Sequence, residues 1–417
     1  MTITAMFNGK PVRSGKDVWP LVKVDHLYIL SASILERSFK LEANQIPTFN
    51  ALCEQLDLPP PTVYTTWANG GDNSEDYVAE LPALLADAEG KSNVLVLIHG
   101  FGNDISRDGP WPGGSEQYDS YLRSIIDDIH AAGHKALVSS ASYRVRGFSH
   151  PSAPYNMNIN YPVIKEKTPQ FWRNEKPVFD LYSHTINNQE LITTDGVHPT
   201  LGGQLAIRGV VAKALADIAL PKPRLPAAAD FSGKRIVVCM HGGISSYTQG
   251  VSAGISSEGP SATSGALSYV MAYNLVTADG TKMYGVNLDQ RFHTTVNTDG
   301  RRAAGDNSAS LTNANVIAAS TYTSSRSGPI LKITGLPNGL TGTVSVTGAR
   351  NTTATDRVGE FTYRGETLQL NGAANPPEIS SWPMIVEDGT VTIEWGCAEG
   401  STYAYLSGIQ LDFDEIV

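Results

Sequence analysis

Only three cysteines occur among the 417 residues, Cys53, Cys239 and Cys397. They are too widely spaced to form a metal-ligand pair and too odd in number to pair fully with one another. Buried, reduced thiols are the expectation, and a reducing compartment fits. Charge is also scarce, at 17% of residues against about 25% in an average globular chain. With 41% hydrophobic residues the sequence is too apolar for a disordered chain. Yet no run approaches the roughly 18 uninterrupted apolar residues of a membrane-spanning helix, so no membrane span is expected. Positive charge is in deficit, 31 Lys+Arg against 41 Asp+Glu for a net −10, which builds no basic face for nucleic acid. The opening MTITAMFNGKPVRSGKD lacks the apolar core of an export signal. A cytoplasmic location is expected, or release without a signal peptide, for example as part of a particle. No internal repeat is visible, and at about 150 residues per domain the length suggests two or three domains.

What is present divides at a proline-rich segment. From residue 24 to about 220, short apolar runs alternate with longer amphipathic stretches. Strands are predicted over residues 25–30, 62–67, 93–98, 135–139 and 177–181. Helices are predicted over 34–56 with an interruption at Pro47, and over 75–88, 117–132 and 202–218. The run Asn-Val-Leu-Val-Leu-Ile at 93–98 has the β-branched, unalternating character of a buried central strand. Strands alternating with helices imply a parallel sheet covered on both faces, an α/β unit. Residues 144–176 form a long insertion carrying Phe148, Tyr155, Tyr161, Phe171 and Trp172, expected to wall the substrate side.

The segment 221–230, PKPRLPAAAD, reads as a stiff linker. Beyond it helical periodicity gives way to short strand-like runs separated by Gly, Asn, Asp and Thr turns. Residues 234–417 therefore read as an all-β sandwich, with a Gly- and Ser-rich loop over 242–265. The expected division is 1–220, a linker at 221–233, and 234–417.

Four places in the first unit follow predicted strands, where sites form in open parallel sheets. Ser31-Ala32-Ser33 ends the first strand and starts a helix, offering a hydroxyl near free backbone N–H groups, although a serine there can equally be a helix cap. Asn69-Gly70-Gly71-Asp72-Asn73-Ser74 follows the second, and adjacent glycines allow backbone N–H groups to approach a ligand. His99-Gly100-Phe101-Gly102-Asn103-Asp104 follows the central strand, where a side-chain amide can donate to an oxyanion. Thr194-Asp195-Gly196-Val197-His198-Pro199 precedes the last helix. A carboxylate three residues before a histidine can fold back onto the imidazole and fix its tautomer.

DGVHPTLGGQLAIRGVVAKAL resembles the last block of SGNH (GDSL-type) esterases, in which D-x-x-H-P precedes the closing helix. FGNDI resembles the third block, GGDNSEDYVAELPALL the second and LSASIL the first, in the family's order over roughly residues 24–220. The resemblance implies a three-layer, flavodoxin-like hydrolase unit and a Ser-His-Asp triad of Ser33, His198 and Asp195. It implies an oxyanion hole of the Ser33 and Gly71 N–H groups and the Asn103 amide, with no metal or cofactor. Two departures stand out. Ser31-Ala32-Ser33 replaces the usual G-D-S, leaving Ser31 as a rival nucleophile, and Phe101 stands where the third block has glycine.

Other patterns lead elsewhere. Gly250-Val251-Ser252-Ala253-Gly254 matches a nucleophile elbow but lacks the strand-to-helix context that motif needs. Trp382 and Trp395 could serve as sugar platforms, with core packing the expected role. The patterns LKITGLPNGLTGTVSVTGAR, DGTVTIEWGC and AYLSGIQLDF resemble galactose-binding-like modules found beside carbohydrate-active enzymes. Together these resemblances imply an esterase removing small acyl groups, acetyl foremost, from an acylated carbohydrate. The alternatives are an inactive glycan-binding or structural particle protein, such as a phage tail component, and a lipase or thioesterase acting on longer chains.

Overall fold

Every side chain of the strand Val94–His99 is buried. A strand covered on both faces has no use for polar alternation, which is why its sequence has none before the final histidine. The computed structural model describes residues 3–7, 10–13, 22–99, 103, 114–139, 181, 191–193, 195–240, 251–256, 268–297, 311, 320–326, 330–350, 352, 354–374 and 376–416. In chain order these begin with a hairpin, β1 (Ile3–Phe7) and β2 (Lys10–Arg13). There follow β3 (His26–Leu30), α1 (Ser33–Phe39), α2 (Gln45–Gln55) and β4 (Thr62–Tyr64). Next come α3 (Ser74–Ala88), β5 (Val94–His99), α4 (Gly114–Ala131), β6 (Lys135–Ser139) and α5 (Leu201–Ala219).

Strands β3 to β6 form one parallel sheet in the order β4-β3-β5-β6. Successive side chains of a strand point to opposite faces. Leu27, Ile29, Leu95 and Leu97 accordingly pack with residues of α1, α2 and α5. Tyr28, Leu30, Val96 and Ile98 pack with Tyr77, Leu81 and Leu84 of α3 and Leu122, Ile125 and Ile129 of α4. Each fully buried aliphatic side chain contributes about 1.5–3 kcal/mol. This is the three-layer, flavodoxin-like arrangement. The chain moves outward from β3 to β4 and then crosses back to β5, so the order reverses between β3 and β5. Ligand crevices lie beyond the carboxyl ends of strands at such a reversal.

The helix predicted through residue 56 breaks at 40–44 rather than at Pro47. Pro47 sits in the first turn of α2, where its missing N–H has no intrahelical acceptor to lose. Of the strand predicted at 177–181 only Leu181 is described, and it is helical. The insertion at 144–176 lies outside the described residues.

The second half contains β7 (Arg235–Cys239), β8 (Val251–Ala253), β9 (Ile255–Ser256), β10 (Ser268–Ala272) and β11 (Asn287–Asn297). It continues through β12 (Ser320–Thr323), β13 (Ile330–Thr334), β14 (Thr341–Thr347), β15 (Val358–Tyr363) and β16 (Glu366–Asn371). It ends with β17 (Ile379–Ile385), β18 (Thr390–Cys397), β19 (Ala404–Leu406) and β20 (Gly408–Phe413). A five-stranded sheet, β17-β14-β20-β7-β8, faces a nine-stranded one containing β16-β15-β18-β13-β11-β10-β9. Their inner faces share one core that includes Val238, Val346 and Leu411 from the first and Leu331, Ile393 and Phe361 from the second. Trp382 and Trp395 belong to that core, 1% and 3% exposed, which removes them as sugar platforms.

Two expectations are corrected here, and one strand is added. The loop expected over 242–265 contains the short strands β8 and β9. The linker carries a 3-10 turn, Ala228–Phe231, whose Phe231 is wholly buried in the sandwich core. Strand β17, not among the runs read from the sequence, contains Pro383 and lies at a sheet edge, where a missing N–H costs no ladder bond. The two units also touch. Ile255 and Met271 join the apolar cluster of α1, α2 and α5, and Gln55 Oε1 accepts from Tyr273 N at 2.8 Å. Cys53, Cys239 and Cys397 are buried and form no disulfide. Among the described residues no helix is long and apolar enough to cross a membrane.

Candidate active site

Ser33 is the first residue of α1. Ala32 occupies the N-cap position with no side-chain oxygen to offer, so the first N–H groups of the helix keep no cap. Ser31 is different in kind. It extends β3 through a bridge to Ala68, is fully buried, and its hydroxyl donates to Ala32 O at 3.1 Å.

The Asp195–His198 segment is a tight loop in front of α5. Thr193 N donates to His198 O at 2.7 Å and Thr200 N to Leu191 O at 2.8 Å, folding the loop back on its own start. Thr200 caps α5 by accepting from Gly203 N at 3.1 Å. Gly203 is required by space: a Cβ there would lie 2.2 Å from Leu191 O. Gly203 in the first turn of the last helix is thus the condition for seating the histidine loop against it.

Within this loop Asp195 Oδ1 accepts from Thr193 Oγ1 at 2.6 Å and from the backbone N–H groups of Val197 and His198 at 2.9 Å each. Its Oδ2 lies 2.6 Å from His198 Nδ1. Partial burial pushes the carboxyl upward, but the bonds from Thr193, His198 and Val197 outweigh it and hold Asp195 well below the usual carboxylate range. The other ring nitrogen, His198 Nε2, is 3.0 Å from Ser33 Oγ. A hydroxyl, an imidazole and a carboxylate 165 and 3 residues apart are therefore joined in sequence by two hydrogen bonds.

Gly71 follows β4 in a turn with φ +97°, a conformation favouring glycine. The turn is anchored immediately after it. Asn73 Oδ1 accepts from Glu75 N and Asp76 Oδ2 from Asn73 N, both at 2.9 Å, which closes a capping box on α3. Asn103, beyond β5, donates through Nδ2 to Asp72 O at 2.8 Å. The second and third segments singled out in the sequence thus meet each other, as the first and fourth do. Gly70 connects the pairs, since a Cβ on it would lie 3.7 Å from Ser33 Cβ. Gly100, Phe101, Gly102, Asp104 and Thr194 lie outside the described residues.

Sequence reasoning missed Thr193, although a hydroxyl two residues before the aspartate was legible. It also missed the surroundings of the glycine turn. Glu80 on α3 has its carboxyl pushed upward by burial first and by the neighbouring Asp72 next. Burial likewise raises Asp72. A carboxyl raised on folding is stabilising at acid pH and loses that contribution as pH climbs through its folded value. Glu80→Gln keeps the acceptor for Asn69 Nδ2, which now bonds Glu80 Oε1 at 2.8 Å, and removes the charge. Its melting temperature should exceed that of the wild type at pH 8, with the gain shrinking toward pH 4. A gain independent of pH would assign the effect to packing instead.

No protein-family model matches the sequence, and comparison with curated proteins yields no match. Solved structures do align with about half of the chain. A lipase/acylhydrolase from Enterococcus faecalis is 19% identical over 48% of this chain and 100% of its own, with a TM-score of 0.38. A GDSL-like lipase from Bacteroides thetaiotaomicron is 15% identical over 47% and 90%, with a TM-score of 0.33. A psychrotrophic esterase from a Pseudoalteromonas species is 18% identical over 46% and 96%, also at 0.33. At this level of similarity the chemical assignment rests on the geometry of the site.

Proposed function

We propose that the protein is a serine esterase of the SGNH type, with Ser33, His198 and Asp195 as its triad. The observation that carries this reading is the continuous chain from Asp195 Oδ2 through His198 to Ser33 Oγ, at 2.6 and 3.0 Å. Those are hydrogen-bond distances between a nucleophile, a base and the group that orients it. His198 Nε2 takes the proton as Ser33 Oγ attacks the ester carbonyl carbon. Collapse of the tetrahedral adduct breaks the bond to the alcohol oxygen, which receives that proton. Water, deprotonated by His198, then attacks the acyl-serine and releases the carboxylic acid.

The negative oxygen of the adduct is assigned to the backbone N–H groups of Ser33 and Gly71 and to the Asn103 amide. Asn103 spends one Nδ2 hydrogen on Asp72 O, and its other hydrogen is the one assigned to substrate. Loss of one oxyanion donor typically costs about 10²–10³ in kcat. Asn103→Ala should therefore lower kcat for p-nitrophenyl acetate by that factor. An unchanged kcat would remove Asn103 from the hole.

The substrate we assign is a small acyl ester, O-acetyl foremost, on a carbohydrate. The hydrolytic unit, 1–220, is followed across 221–233 by a β-sandwich, 234–417, whose sequence pattern resembles galactose-binding-like modules. A chain-length series of p-nitrophenyl esters, then acetate release from acetylated polysaccharides, tests the assignment. Preference for acetyl over octanoyl with acetate release supports it. Preference for octanoyl redirects it to a lipase or thioesterase. Absence of both turnover and covalent labelling of Ser33 by a fluorophosphonate leaves a binding or structural protein.

A further inference from the structure

The triad accounts for the first and fourth segments but not for what holds the glycine turn at a fixed distance from Ser33. One side chain spans that gap. Lys40 ends α1, the helix that Ser33 begins. Its ammonium donates to Ala68 O and to Asn69 Oδ1, each at 2.7 Å. It also faces Glu36 on its own helix at 4.0 Å. Asn69, so gripped, donates through Nδ2 to Glu80 Oε1 on α3 at 2.8 Å and through its backbone N–H to Ser31 O at 2.9 Å.

Asn69 is therefore tied to three elements: the end of β3, the end of α1 and the middle of α3. Two residues later comes Gly71. Between them Gly70 is packed so closely that an added Cβ would stand 2.8 Å from Glu36 Oε2 and 3.7 Å from Ser33 Cβ. The turn thus lies within van der Waals reach of the nucleophile, and only the end of the Glu36 side chain would have to give way to a methyl there. Lys40 is partly buried, 30% exposed in its side chain, and its positive charge opposes the upward push of burial on Asp72 and Glu80.

We propose that Lys40, acting through Asn69, is a positioning residue that sets the Gly71 amide against Ser33, so that both N–H groups converge on one oxyanion. The proposal rests on the esterase reading and adds a residue to it. Oxyanion donors must sit 2.7–3.1 Å from the developing charge, and a misplacement of about 1 Å can cost about 10²-fold. A donor that is misplaced but still present weakens transition-state binding while leaving ground-state binding nearly intact.

The test compares wild type, Lys40→Met, Lys40→Arg and Asn69→Ala on p-nitrophenyl acetate, with melting temperatures recorded for each. Lys40→Met should lower kcat about 10–100-fold with KM within about threefold of wild type. Lys40→Arg should recover part of the loss, because a guanidinium can donate to both Ala68 O and Asn69 Oδ1. Asn69→Ala should reproduce the kcat loss, and it carries the test if Lys40→Met does not fold. Wild-type kcat in Lys40→Met, or in Asn69→Ala where it serves instead, overturns the proposal and leaves the esterase intact. A loss confined to KM, or an arginine variant as impaired as the methionine one, also overturns it. A wild-type protein that neither turns over ester nor labels at Ser33 overturns both readings.

Discussion

Ser33→Ala should lower kcat for p-nitrophenyl acetate by at least about 10⁴-fold, whereas Ser31→Ala should remain within about tenfold of wild type. The asymmetry follows from two hydroxyls only two residues apart. Ser33 Oγ lies 3.0 Å from the only ring nitrogen of His198 not engaged by Asp195. Ser31 is sealed in the strand end with its hydroxyl committed to Ala32 O. Without the Ser33 oxygen no acyl-enzyme forms, and only the rate from the remaining donors and binding survives. The same pair of variants tests the rival nucleophile left open by the Ser-Ala-Ser segment. Retained turnover in Ser33→Ala together with its loss in Ser31→Ala would transfer the role to Ser31. Retained turnover in both would end the serine mechanism. Labelling by a fluorophosphonate, read by mass spectrometry of the modified peptide, gives an independent check, since it should vanish with Ser33 alone.

The second large effect is expected of Asp195→Asn, with a fall in kcat of about 10⁴-fold. The carboxylate has two separable jobs. Oδ1 closes the loop by accepting from Thr193 Oγ1 and from the N–H groups of Val197 and His198. Oδ2 lies 2.6 Å from His198 Nδ1, and in the proposed mechanism it accepts that ring proton, which leaves Nε2 to take the one from Ser33. An amide retains an oxygen for the first job. For the second it offers an N–H, which forces the imidazole to place its proton on Nε2, where it can no longer serve as base. The variant should thus keep a near wild-type melting temperature while losing turnover. Thr193→Ala removes one bond from Oδ1 and should cost far less. A near wild-type kcat in Asp195→Asn would show that His198 needs no carboxylate partner and would remove Asp195 from the triad. A variant that unfolds would instead show that the loop's hydrogen bonds, and not the tautomer, govern the loss.

Most of the α/β unit was legible because its information is local and periodic. The run at 93–98 reads as a strand buried on both faces, and Val94–His99 is one. The apolar stripe of α3, Tyr77, Leu81 and Leu84, follows from spacing alone, whereas α5 is buried on nearly every side, with only Lys213 and Asp217 exposed, because Ile255 and Met271 of the second unit join its cluster. Asp195 and His198 stand three residues apart in a loop short enough to fold back. Where reading erred, the local cue depended on its surroundings. Pro47 looked like a break, but a proline in a first turn is tolerated. Pro383 is tolerated within β17 because that strand lies at a sheet edge, a placement that no single segment reveals. Phe231 read as linker because the core that receives it is built from strands up to about 180 residues further on.

The amino-acid order by itself determined the parallel strands and most helices of the first unit, the loops in which chemistry could reside and the pairing of Asp195 with His198. Such features are set by contacts within a few residues, where propensity and periodicity act directly. Only the tertiary structure decided that Ser33 and not Ser31 meets the imidazole, that the Asn103 amide meets the glycine turn, and that Lys40 reaches across to hold that turn. Those choices depend on the strand order β4-β3-β5-β6, which reverses beside β3 and brings separate loop ends to one rim. Their cause is the burial of both sheet faces, a cooperative property of the whole unit that no single loop carries.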